Sequence, residues 1–174
     1  MKRLLAAVVV VVVSLTTAAP SSAYFADFSG LPNNLPVHYI SNIPGMSFSG
    51  ADWTVVDLSQ SSNPPFALQG NTIGGCMSAL TIQFDKAQRY IGFDFEISDW
   101  ENMFGYEATV VAYFKGKVVA SGTYGVALPG GEYKFPEGYA SLGTRRAFDT
   151  VVVTHNAPTN CMYVDNIETL ARIR

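Results

Sequence analysis

The sequence predicts an all-β fold, a two-sheet antiparallel β-sandwich of about ten short strands. Three observations predict it. Downstream of the first two dozen residues no stretch sustains a helical period, and Gly and Pro punctuate the whole chain. Several runs alternate apolar and polar residues with the two-residue period of a half-buried strand, Tyr90 to Ile97 most clearly. Aromatic residues make up 13% of the 174 residues against 14% charged, enough rings to fill a thick sandwich core.

Met1-Lys2-Arg3 followed by the apolar run Leu4 to Leu15 and by Ser21-Ser22-Ala23 has the order of a secretory signal peptide: basic, apolar, small. The competing reading, a membrane span, needs about 20 apolar residues, and this run is shorter. Residues 1–23 are therefore expected to be a signal peptide and 24–174 a single sandwich domain, exported to the extracellular space or to the periplasm of a cell with two membranes. Without Lys2 and Arg3 the 11 Lys and Arg fall to 9, against 14 Asp and Glu, a net charge of −5. No basic run remains beyond Arg145-Arg146 and the terminal Arg172 and Arg174, so nucleic acid and anionic membrane are poor partners.

Taken in order, Tyr24 to Phe28 reads as a first strand, stopped by Ser29-Gly30-Leu31-Pro32. Short strands are expected at His38 to Ile40, Met46 to Phe48, Trp53 to Asp57, Phe66 to Gln69, Asn71 to Gly75 and Ala79 to Phe84. Trp53 reads as core. In Tyr90 to Ile97, Ile91, Phe93, Phe95 and Ile97 share one face, and Tyr90, Asp94 and Glu96 share the other. Glu107 to Phe114 and Lys117 to Thr123 flank Lys115-Gly116, a two-residue hairpin turn. A short strand from Gly130-Gly131 to Phe135, turned by Pro136-Glu137-Gly138, then Phe148 to Thr154 and Cys161 to Leu170, complete the set. The last carries Asp165-Asn166 in its middle, and both residue types are depleted in strands. Strict alternation places them on opposite faces, and an inward carboxylate needs a partner.

Cys76 and Cys161 are an even pair in an exported chain, so a disulfide is the default, with a metal pair or free thiols as alternatives. Closing so long a loop is worth on the order of 4 kcal/mol. His38 and His155 are too few and too far apart for a zinc site with the cysteines.

Phe28-Ser29-Gly30-Leu31-Pro32, Tyr39 and Pro44-Gly45-Met46-Ser47-Phe48-Ser49-Gly50 together resemble the opening of bacterial secreted jelly-roll domains. The ending Tyr163-Val164-Asp165-Asn166-Ile167 is similar to the last strand of carbohydrate-binding modules of the galactose-binding-like group. The resemblance implies a jelly roll, glycan binding by aromatic side chains and a structural calcium between first and last strands. For calcium it implies Asp27 and Asp165, with nearby carbonyls, as ligands.

The residues themselves offer two aromatic sites. Trp100, in Ser98-Asp99-Trp100-Glu101-Asn102, either stacks on a sugar while Asp99 and Glu101 bind its hydroxyls, or folds back over the end of the sandwich. Tyr124, Tyr133, Phe135 and Tyr139 either line a groove or cover an edge. A glycosidase reading would rest on Asp94, Glu96, Asp99 and Glu101 as paired carboxylates; the run Glu96-Ile97-Ser98-Asp99-Trp100-Glu101 does not resemble the glutamate and aspartate spacing of jelly-roll glucanases, and no Gly-x-Ser-x-Gly elbow or phosphate loop occurs. The sequence thus favours a secreted, non-catalytic carbohydrate-binding domain. An extracellular or envelope protein-interaction domain is the alternative, and a small secreted hydrolase ranks third.

Overall fold

A computed structural model of the chain describes residues 23–59, 68, 70–98, 105–127, 135–157 and 160–170. Nine strands follow one another: β1 (Phe25–Ala26), β2 (Met46–Ser49), β3 (Thr54–Asp57), β4 (Asn71–Gly75), β5 (Leu80–Ile97), β6 (Glu107–Phe114), β7 (Lys117–Gly125), β8 (Glu137–His155) and β9 (Met162–Leu170). All pairings are antiparallel. They form the two layers of a jelly-roll β-sandwich.

Two long strands join the layers. Residues 80–84 of β5 pair with β2 and with the end of β8, which in turn pairs with β6 and through it β7. Residues 90–97 of β5 pair instead with the start of β8 and with β9, beyond which lie β4 and β3, with β1 on the rest of that edge. The β5–β8 register shifts between Gln83 and Gln88 and again between Gln88 and Tyr90. Such bulges bend a strand and increase its twist, which lets one strand serve both sheets. The runs 79–84 and 90–97, expected as separate strands, are therefore one, and β8 begins well before Phe148. The expected strand Phe66 to Gln69 and the strand ending at Phe135 lie largely outside the described residues.

The core sits between the layers. Ile91, Phe93, Phe95 and Ile97 are all fully buried, as their alternation requires, beside Phe28, Phe148, Val151, Val153, Val164 and Ile167. Phe84 and Phe148 meet edge-on at 5.9 Å, an arrangement that suits the ring quadrupoles. The hairpin turn between β6 and β7 has φ of 50° at Lys115 and 76° at Gly116, the pair of positive values that matches the strand twist. At His38 to Ile40 the expected strand is a short 3-10 helix, Val37–Tyr39. Pro36 starts it with φ −60°, and Tyr39 N–H donates to Pro36 O at 2.9 Å.

Cys76 and Cys161 form the disulfide, 85 residues apart in sequence. It lies where β4 ends and β9 begins, one step beyond the pair Gly75 and Met162. Asp52 holds the same corner. Its carboxylate accepts the backbone N–H groups of Cys76, Met77 and Ser78 at 2.6, 2.7 and 3.0 Å, and the Ser78 hydroxyl as well. Burial pushes its pKa up, but the Ser78 hydroxyl and the three amides outweigh this and bring it to about 2. Trp53, next along, is buried as expected and donates from Nε1 to Ser78 O at 2.9 Å.

Candidate functional site

The outward face of the layer built on β9, β5 and β8 collects the polar and aromatic groups. Pairing fixes its first row. Phe25 of β1 lies opposite Glu168 of β9, Glu168 opposite Gly92 of β5, and Gly92 opposite Ser141 of β8. In neighbouring rows Tyr90 lies opposite Leu170 and Gly143, and Asp94 opposite Tyr139 and Asp165. Directly opposed residues in an antiparallel ladder point the same way, so these side chains share one surface.

Tyr90, Tyr139 and Glu168 are joined there. Tyr139 Oη donates to Glu168 Oε1 at 2.7 Å, the two phenol oxygens are 2.7 Å apart, and Tyr90 Oη reaches the same carboxylate oxygen at 3.2 Å. Gly92 makes this possible, because a Cβ there would overlap Tyr139 Oη and come within 2.6 Å of Tyr90 Oη. Burial, the hydrogen bonds to Tyr90 and Glu168 and the carboxylate charge all push the Tyr139 phenol pKa upward, so it stays a neutral donor. Tyr139 is nonetheless 48% exposed, and Phe25 and Leu170 are 59% and 42% exposed on the same surface. A cleft of ≈ 450 Å³ adjoins it, lined by Tyr139, Asp94, Glu137 and Leu68 among others.

Tyr124, expected at a site, does stand beside this group. Its hydroxyl donates to Ser141 O, and burial followed by the neighbouring Tyr90 raises its pKa. Asp99, Trp100, Glu101 and Tyr133 lie outside the described residues. Of the four acids of the glycosidase reading, Asp94 lines the cleft and Glu96 is fully buried with Oε2 accepting Leu68 N–H at 2.9 Å. The two do not face a common opening as a glycosidase pair must.

β9 breaks its alternation. Its buried positions run Met162, Val164, then Ile167, Thr169, a change of phase between 164 and 167. Asn166 has φ 52°, and the β5–β9 register slips between Gly92 and Asp94. The bulge turns Asp165 and Asn166 to the same side, correcting the expectation that they face opposite ways. Asn166 Nδ2 donates to Asp94 Oδ2 at 2.9 Å, and Asn166 N–H to Asp165 Oδ1 at 2.8 Å. Asp165 is 7% exposed. Burial raises its carboxyl; the Asn166 N–H opposes this, but the charges of Asp27 and Asp94 add to it, and the pKa reaches about 6.

Asp27 and Asp165, paired in the sequence analysis as metal ligands, are thus electrostatic neighbours. Asp27 also accepts Ser29 N–H and Ser29 Oγ at 2.8 and 3.0 Å. The donor set is all oxygen, the kind calcium takes. Among the described residues no three of His, Cys, Asp and Glu come close enough to hold a metal unaided. A cation here would need backbone carbonyls or water as further ligands.

Comparison with solved structures places the fold. The chain is similar to the K2 cleaved adhesin domain of Lys-gingipain, with a TM-score of 0.52 and 9% identity over 85% of this chain and 97% of that one. It shares that domain's architecture.

Two carbohydrate-binding modules are similar at lower scores. The mannan-recognising TmCBM27 gives 0.48 with 9% identity over 89% of this chain and 100% of that one. A family 29 module gives 0.43 with 13% identity over 87% and 91%. The sequence matches no protein-family model and no curated protein. Among the described residues no helix is long and apolar enough to cross a membrane.

Proposed function

We propose that the protein is a secreted, non-catalytic domain that binds carbohydrate on the surface carrying Tyr90, Tyr139 and Glu168. One observation carries this reading: two phenols fixed on one carboxylate, with Tyr139 half exposed, beside a cleft of ≈ 450 Å³. Sugars combine C–H faces that pack on rings with hydroxyls that need acceptors and donors at set positions. Tyr139 and Phe25 offer rings, while Glu168, Asp94 and Glu137 offer acceptors. The hydrogen bonds already made among Tyr90, Tyr139 and Glu168 hold the surface in one shape, which lowers the ordering cost of binding. The disulfide supports export to an oxidising compartment. The crowding of Asp165 by Asp27 and Asp94 supports a bound calcium ion, whose charge would offset their repulsion.

Exposed Phe25 and Leu170 at the border of this surface favour a second reading, a protein-interaction domain. The architecture shared with an adhesin domain is compatible with it.

Titration with neutral oligosaccharides, following a glycan array, tests the first reading. Tyr139→Ala and Glu168→Ala should each weaken binding about tenfold or more, a loss of about 1.4 kcal/mol, with little change in melting temperature. An array without binding at high protein concentration overturns it. Capture of a protein partner that sugars do not displace would establish the second reading instead.

A further inference from the structure

At the corner where β5 and β8 bend between layers, they meet the β6–β7 hairpin in a groove of ≈ 450 Å³. Arg89 of β5, Lys117 of β7 and Arg145 and Arg146 of β8 line it, with Val118 and Val119 among its apolar walls. These cations come from three separate stretches of the chain, so no basic run announces them. The two other described cations are close in sequence, Lys86 three residues before Arg89 and Lys115 two before Lys117. Every described Lys and Arg therefore belongs to the segments that build this corner.

The carboxylates nearby lie outside the lining of the groove and take neutral donors. Asp85 accepts the Tyr24 hydroxyl, and Asp149 accepts Lys115 N–H at 3.0 Å and Thr150 Oγ1 at 3.1 Å. Among the described residues no Asp or Glu pairs with Arg89, Lys117, Arg145 or Arg146. Like charges gathered within roughly a Debye length, about 8 Å at physiological ionic strength, repel one another. No Asp or Glu is among the residues that line the groove, and a recess that gathers four cations in its walls lowers its energy by taking an anion.

We propose that this groove binds an anionic polysaccharide, a sugar chain bearing carboxylate or sulfate groups. Arginines present the planar fork that matches such oxyanions two bonds at a time. The cations are spread over three strands, which suits several charges in succession better than a single ion. Val118 and Val119 offer walls for the C–H faces of sugar rings. Nucleic acid fits less well. Phe114, the groove's aromatic ring, has the Lys115 ammonium 5.4 Å from its centroid, leaving it poorly placed to stack a base. A membrane also fits less well, because Val118, 58% exposed, is the one exposed large apolar residue on this corner among those described. The groove shares no lining residue with the cleft beside Tyr139 and does not depend on what binds there.

Calorimetric titration of the folded protein with size-defined uronic-acid and sulfated oligosaccharides tests the proposal. Binding at low salt should weaken at least about tenfold in the Arg145→Ala, Arg146→Ala double variant and fall steadily as salt is raised. Both arginines are exposed, so the variant should melt like the parent; Arg89→Ala is a second, independent probe. Tyr139→Ala should leave this binding unchanged, which separates it from neutral-glycan binding. A response to only one oligosaccharide identifies the oxyanion, and a response to both means charge is what is read. No binding to either, undiminished binding in both arginine variants, or equal affinity for DNA or anionic vesicles would overturn it.

Discussion

Asp52 and Asp165 are both aspartates drawn out of solvent, and the fold treats them in opposite ways. Asp52 receives three backbone N–H groups and a serine hydroxyl, and its pKa falls to about 2. Asp165 receives one N–H and faces two more carboxylates, and its pKa rises to about 6. Donors convert a partly buried charge into a fastening, whereas unbalanced neighbours leave it poised for a proton or a cation. The Asp52 corner is structural. The Asp165 bulge borders the surface where function is proposed.

The largest effect should come from the Asp52 corner through its disulfide. Replacing Cys76 and Cys161 together by alanine should cost about 4 kcal/mol in denaturant unfolding, because the 85-residue separation makes the closed loop long. Asp52→Ala should follow at about 3 kcal/mol, since it strips four donors of a charged acceptor. A cost below about 1 kcal/mol would remove Asp52 from the structural side of the comparison.

Asp165 should respond with the opposite sign. Its folded pKa lies above the unfolded value, so between about pH 4 and pH 6 the folded state holds more protons than the unfolded. Its contribution to stability is fully present below about pH 4 and falls as pH rises, by at most about 3 kcal/mol. Asp165→Asn should therefore raise the melting temperature near pH 7 in chelator, change little near pH 4, and flatten the slope between. Asp52 acts in the other window, where its stabilisation is lost as pH falls from about 4 towards 2.

Calcium sharpens the contrast and should give the smallest shift. Melting temperature of the parent near pH 7 should rise with calcium, and Asp165→Asn should abolish the rise while Asp52→Asn keeps it. A calcium response that survives in Asp165→Asn would move the ion elsewhere.

Much of the architecture was legible in local pattern. Ile91, Phe93, Phe95 and Ile97 announce an inward face because a strand's side-chain period is two whatever it pairs with. Lys115-Gly116 announces the hairpin because few residues accept two positive φ values in succession. The cysteine pairing follows from an even count of two, and the buried Trp53 from hydrophobicity. The acid cluster was half legible: the resemblance paired Asp27 with Asp165, but Asp94 and the shared face of Asp165 and Asn166 did not stand out. That face depends on the bulge at Asn166, one extra residue that reverses the alternation on which the sequence reading relied.

What the sequence by itself determined is the all-β class, the inward faces of the core strands and the disulfide as the default pairing, all set by short-range chemistry or by counting. Tertiary structure alone decided which outward residues meet. Tyr90 and Tyr139 are 49 positions apart and Tyr90 and Glu168 are 78, yet strand register sets them on one oxygen over a glycine. Arg89, Lys117 and Arg145 share a groove because β5 and β8 bend where they do. Outward side chains carry little hydrophobic signal, so their neighbours follow from register and bulges, and these are settled only when the sheets pack.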